Sequence, residues 1–182
     1  MPRDTRTIGA QVATTENVHV RVHDAEQLRE AWPGWEKNPK WVKRKLAART
    51  PPDEEHHASN TTTVGLNELI PEVLHPGTTV SETASHLALG TGMSDTASGD
   101  RSLESEVYRV ETTDDALNGT ELYTSTLLDT SEANGNDLTE VGLVTSDTGG
   151  ADRLLNHAPI GTIEKTANST ATIDVTLRFE SV

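Results

Sequence analysis

The chain has 182 residues, 29 of them acidic against 15 basic, a net charge of −14, and only 33% are hydrophobic and 3% aromatic. A polyanion of this kind repels nucleic acid and anionic lipid, and its core must be small and aliphatic. With no cysteine, a disulfide framework, a thiolate zinc site and a cysteine nucleophile are all excluded.

Val18, Val20 and Val22 alternate with His19, Arg21 and His23, the two-residue period of a half-buried strand. Asp24 predicts a helix N-cap, with Gln27 completing a capping box. Leu28 and Trp32 would share one face of that helix, and Pro33-Gly34 should end it. Next comes a segment holding all the tryptophans (Trp32, Trp35, Trp41) and every lysine except Lys165. Within it, Pro39 to Ala48 predicts a short basic helix closed by Pro51-Pro52. Asp53, Glu54, Glu55, His56 and His57 read as polar linker. Leu66, Ile70, Val73 and Leu74 predict the apolar face of a helix capped by Asn67, with Pro71 tolerated near its first turn and His75-Pro76-Gly77 ending it. Strands are then expected at Ser85–Leu89, Glu104–Thr112, Glu121–Leu128, Asp137–Thr145, Arg153–Ala158 and Ala171–Phe179. Turn signals at Asn118-Gly119, Asn134-Gly135 and Gly149-Gly150 separate them.

Many short strands with turns between them point to a mainly β protein, an antiparallel β-sandwich with a short N-terminal helix, preceded by an N-terminal α/β extension. The expected organisation is an extension over 1–52 carrying the Trp/Lys-rich attachment segment, a polar linker over 53–63 and the sandwich over 64–182.

Several segments of the sandwich resemble a known family. Ser85-His86-Leu87-Ala88-Leu89-Gly90-Thr91-Gly92 is similar to the I-T-H-I-A-L-G-T-G segment of a domain common in tail, fibre and baseplate-associated proteins of tailed viruses. Leu103-Glu104-Ser105-Glu106-Val107-Tyr108-Arg109 resembles that family's L-x-x-E-V-x-R stretch. Glu132 to Val144 resembles its E-x-N-G-x-x-I-x-E-V-G-L-F stretch, with Val144 in place of the final Phe. Gly149-Gly150 before Arg153, and Lys165-Thr166 leading to Phe179, match its last two pieces. The likeness covers about Val64 to Val182. It implies a structural module with no known active site, within a virion protein at the tail, baseplate or fibre attachment. Capsid decoration or vertex (turret) placement is the alternative. In these motifs Gly90 and Gly92 suit positive φ or close backbone approach, and Gly142 suits a bulge or a close neighbouring backbone. Asn134-Gly135 suits a turn with both residues at positive φ.

Acidic excess, scarce lysine and abundant threonine read as adaptation to concentrated salt, hence a virus of a halophilic host. At molar salt the screening length falls to about 3 Å and carboxylate repulsion fades. The N-terminus, Met1-Pro2-Arg3-Asp4, is followed by no apolar signal region, and no stretch approaches the roughly 18–20 apolar residues of a membrane span. The expected location is the virion, assembled in the host cytoplasm, with other virion proteins and further copies as partners, no nucleic acid, no membrane, and contact with a host surface receptor open.

Chemistry is sparse. Adjacent His56 and His57 on a linker are not expected to converge on one ion, and His19 and His23 lie about 13 Å apart along a strand. His86 and His157 read as isolated. Asp95, Asp100, Asp147 and Asp152 lack the oxygen spacing of a calcium loop, and neither a P-loop nor a nucleophile elbow is present. The expectation is no enzyme, no catalytic residue, no cofactor and no metal. A glycan-binding or glycan-degrading module is the second alternative, the latter needing two converging carboxylates. Trp32, Trp35, Trp41, Lys43 and Arg44 are the candidate subunit-interface residues, since tryptophan and arginine anchor interfaces and a basic patch on an acidic protein seeks an acidic partner. A small local core with solvated lysines is the competing account of the same residues.

Overall fold

The computed structural model describes residues 18–77, 80, 82–146 and 152–179. Two five-stranded antiparallel sheets stack as a sandwich. The first runs, edge to edge, β2 (Glu54–Ala58), β1 (Val18–Asp24), β10 (Ser169–Arg178), β7 (Glu121–Leu128) and β6 (Asp114–Asn118). The second runs β3 (Thr61–Thr62), β9 (Leu154–Lys165), β8 (Asn136–Ser146), β4 (Thr83–Gly90) and β5 (Glu106–Glu111). Helix α1 is Ala25–Ala31, α2 is Lys40–Ala47 and α3 is Val64–Leu74, with a 3-10 turn at Trp35–Lys37. No described helix is long and apolar enough to cross a membrane.

The core follows strand alternation. Ala171, Ile173, Val175 and Leu177 of β10 and Val18, Val20 and Val22 of β1 face Leu87, Leu89, Val141, Leu143 and Leu155 of the second sheet. Threonine fills part of the space that apolar residues leave. Thr124 and Thr126, opposite Val175 and Ile173, lie on the inward face of β7 and are fully buried. The low hydrophobic content is therefore compatible with a dry sandwich.

The expected strands and helices are present, several with different bounds. Residues 53–63, expected as linker, run through β2 and β3; β2 pairs with β1, and β3 pairs with β9. Strand β1, expected in an extension, sits inside the first sheet between β2 and β10. Asp24 does cap α1, accepting from the Glu26 and Gln27 amides at 2.7 and 3.1 Å. The reciprocal half of the capping box is absent, because the Asp24 amide donates to Asp53 Oδ2 at 2.6 Å instead. Helix α3 begins at Val64, ahead of Asn67, after Thr63 turns its hydroxyl to the Leu154 carbonyl. In the 133–135 turn the positive-φ residues are Ala133 and Gly135, at 54° and 80°, so Asn134 is not one of them. Gly149-Gly150 lies outside the described residues.

Gly142 stands at a close backbone approach: a Cβ there would lie 2.8 Å from the Asn156 carbonyl oxygen and overlap the Leu154 side chain. Gly142→Ala should therefore destabilise the protein by about 1–3 kcal/mol in denaturant titrations. Gly99→Ala, where nothing lies within 4 Å, should leave the midpoint unchanged.

Candidate functional site

Helices α1 and α2 fold back over the outer face of the first sheet, and this decides where the tryptophans go. Trp35 is fully buried with Leu28 and Ala47 in a satellite core, flanked by partly buried Trp32 and Leu46. Trp32 donates its indole N–H to Thr50 Oγ1 at 3.0 Å. Trp41 alone of the three is open, 53% exposed, with the Lys45 ammonium 5.1 Å from its ring centre.

The basic residues find acidic partners within the chain. Lys43, 5% exposed, donates to Asp129 Oδ2 at 2.6 Å. Arg44, 9% exposed, pairs with Asp114 and reaches Ser125 Oγ at 3.3 Å. Lys40 pairs with Glu132, whose carboxylate also takes the Tyr108 hydroxyl. Burial pushes the Asp129 carboxyl up, but the Lys43 ammonium and the Thr130 amide more than offset it and hold it below its ordinary value. Of the five candidate interface residues, Trp41 is thus the one presented outward. Trp35, Lys43 and Arg44 instead clamp the helices to the sheet, and their complementary charges come from β6 and the turn after β7. Nearby, fully buried Lys165 donates to Asn134 Oδ1 at 3.0 Å and to the Thr166 carbonyl at 2.9 Å. Burial lowers its ammonium to about 8, against the upward pull of Asp129 and Glu132.

A second polar centre lies on the outer face of the other sheet, beneath the 91–105 loop. Glu140 of β8 is 2% exposed and accepts backbone N–H bonds from Gly92, Glu104 and Ser105 at 3.0, 3.0 and 2.8 Å. Its other contact is His157 Nε2 at 2.8 Å, and His157 Nδ1 meets Asp100 Oδ2 at 2.8 Å. Gly90 and Gly92 are glycines because of this carboxylate. A Cβ on Gly92 would lie 2.6 Å from Glu140 Oε1, and one on Gly90 would lie 2.6 Å from the Ser105 carbonyl. Neither has positive φ. Three stretches that read separately in the sequence, 85–92, 103–109 and 132–144, meet at this one buried charge.

The chemistry open to this centre is limited. Both imidazole nitrogens of His157 are committed to carboxylates, so no lone pair faces the open cavity of about 520 Å³ lined by Asp95, Asp100, Glu104 and His157. Burial raises the Asp100 carboxyl, but the Ala97 amide and His157 overbalance it, and the net shift is downward. Sequence reading missed this centre. Glu140 looked like one more strand residue and His157 looked isolated; the signal was a Gly-x-Gly and a glutamate in segments far apart along the chain.

Two further surfaces stand out. A groove of about 460 Å³ lies beside Trp41, lined by Lys40, Tyr108, Glu111 and Glu132 among others. An apolar groove of about 300 Å³ opens between α3 and the end of the sandwich, bounded by Ile70, Val73, Leu74, Leu122 and Phe179. Val73 and Leu74, expected on the apolar face of that helix, are 58% and 76% exposed. Among the described residues one group of three side chains, His19, Glu55 and His57, has donor atoms close enough to share a metal ion.

Comparison with protein-family models, curated proteins and solved structures finds no match to this chain.

Glu140→Gln would turn an amide NH2 toward groups that need an acceptor, at a cost of about 2–4 kcal/mol, read as a lower denaturation midpoint. Lys165 gives a pH prediction of definite sign. It keeps its proton to its ordinary 10.5 when unfolded but only to about 8 when folded. Between those values the unfolded state binds more protons, so raising pH stabilises the fold. Stability of the wild type should climb between pH 8 and 10 relative to Lys165→Met, which lacks the titrating group.

Proposed function

We propose that this chain is a virion structural protein of a tailed virus, at the tail, baseplate or fibre attachment, working by protein–protein contacts rather than catalysis. The observation that carries the reading is the meeting of the three family-like stretches at Glu140. Residues that resemble a known structural module serve here as a framework: two glycines, three backbone amides and a carboxylate hold a loop to a sheet. The committed nitrogens of His157 also favour a framework role over acid–base work. Surfaces open to partners include Trp41 and the α3 groove, large side chains exposed on a chain with few of them. Exposed apolar patches of this kind mark interaction sites.

Capsid decoration or vertex placement fits the same framework, and particle symmetry separates the two: three- or six-fold rings for the tail, five-fold for vertices. The glycan-binding alternative draws its support from Trp41 at the rim of a polar groove, where a sugar ring could stack.

The test is light scattering in molar KCl followed by incorporation into particles. Wild type should form a discrete oligomer and appear in purified virions. Trp41→Ala combined with Val73→Asp and Leu74→Asp, all at exposed positions, should remain folded yet lose about ten-fold or more in association, equivalent to about 1.4 kcal/mol. A monomer at all concentrations and absence from virions would overturn the proposal.

A further inference from the structure

Strand β2 does to its histidines what a linker would not. Along a strand, neighbouring side chains take opposite faces. His56 therefore turns to one side, where its ring packs against Gly161. His57 turns to the other with Glu55, two residues earlier. In the antiparallel ladder with β1, His57 pairs directly with His19, and Glu55 pairs with Arg21. The register thus gathers two imidazoles and a carboxylate on one outer patch. The His19 and His57 rings lie 4.3 Å apart at 16°. Glu55 Oε1 is 2.6 Å from His19 Nε2 and 3.8 Å from His57 Nε2. The ligand atoms of the three all lie within 4.8 Å of one another. Arg21, the cation nearest by register, is held by Asp174.

We infer that His19, Glu55 and His57 bind one divalent transition-metal ion of the zinc class. Two imidazole nitrogens and one carboxylate oxygen are a donor set suited to Zn²⁺ and to its neighbours Ni²⁺ and Co²⁺ rather than to Ca²⁺ or Mg²⁺, which take oxygen. Metal–nitrogen bonds of about 2.0–2.1 Å in a tetrahedral site put the two nitrogens about 3.4 Å apart. The near-parallel rings must therefore unstack, each turning by some tens of degrees, so that their in-plane lone pairs converge. The χ2 torsion of histidine is soft, and the side chains are 30%, 48% and 50% exposed for His19, Glu55 and His57, so the rotation gives up only the ring stack and the His19–Glu55 bond, which the metal bonds replace. Three protein ligands leave a coordination position for water.

The test is calorimetric titration of ZnCl₂ into the tag-free, EDTA-dialysed full chain in molar salt, with Co²⁺ absorption as a second readout. Wild type should bind one ion per chain and give a visible Co²⁺ band. His19→Ala and His57→Ala should each weaken binding about ten-fold or more and remove the band, and Glu55→Gln should weaken it less. His75→Ala, at the cap after α3, should bind like wild type. No stoichiometric binding by wild type, or binding that survives loss of both His19 and His57, would overturn the inference. The second result would assign the ion to the many surface carboxylates instead.

Discussion

The antiparallel pairing of β1 with β10, Val18 opposite Val175 through to Asp24 opposite Ser169, fixes the position of residues 18–58. Once β1 is locked beside the last strand, its second edge is free to take β2. The residues between them, 25–53, must leave the sheet and return to it. A short loop cannot do that, so they cover the outer face as α1, the 3-10 turn and α2. Coverage explains why outward-facing residues of the first sheet, such as Thr172, Leu127 and His23, are fully buried. It also explains the local composition. A helix laid on a sheet of an acidic protein meets carboxylates at its border, and lysine and arginine are what those carboxylates require. Lys40, Lys43 and Arg44 of α2 face the chain's own Glu132, Asp129 and Asp114.

A net charge of −14 makes a buried carboxylate expensive unless its partners are built in. Glu140 has them: three backbone N–H groups and an imidazole, which is itself held by a second carboxylate. Replacing such an arrangement by apolar side chains is often neutral for stability, whereas breaking it is costly. Its effect here is on specificity. The 91–105 loop has little apolar surface to bury, with Leu103 its main buried side chain. The loop takes its path from the amides of Gly92, Glu104 and Ser105 converging on one carboxylate. Glu104 repeats the device on a smaller scale at the surface, accepting from the Met93 and Ser94 amides at 2.8 and 2.9 Å.

What the sequence made legible was local. Alternation marked β1 and β10, Asp24 marked a cap, and the glycines at 34, 77 and 119, read as helix-end or turn signals, stand at positive φ. What it hid was set by pairing across long separations. Glu54 to Ala58 has no apolar alternation, since as an edge strand it buries little on either face, so its composition reads as linker. Asp114–Asn118 is hidden for the same reason, an edge strand with four of its five residues exposed. His19 and His57 are neighbours only through the register of β1 with β2, which no spacing in the sequence encodes. The tryptophan segment was legible as unusual, and its direction was not. Whether Trp35 points outward to a partner or inward to Leu28 and Ala47 depends on whether a sheet lies beneath it.

That inward turn reshapes the assembly question. With Lys43 and Arg44 neutralised inside the chain, the segment keeps only Lys37, Lys45 and Arg49 as exposed basic residues, and a net charge of −14 makes like copies repel one another in dilute salt. In the proposed assembly, contacts between subunits would then rest on apolar anchors: Trp41, Val73, Leu74, Met93, and Leu117 on edge strand β6, each more than half exposed. Concentrated salt acts on both sides of this balance. It shortens the range of carboxylate repulsion, and salting-out anions strengthen apolar association. An acidic surface with a few open apolar side chains is therefore a surface whose stickiness is tuned by its solvent. Under the proposed assembly role, such a subunit would stay apart at low ionic strength and associate where salt is high.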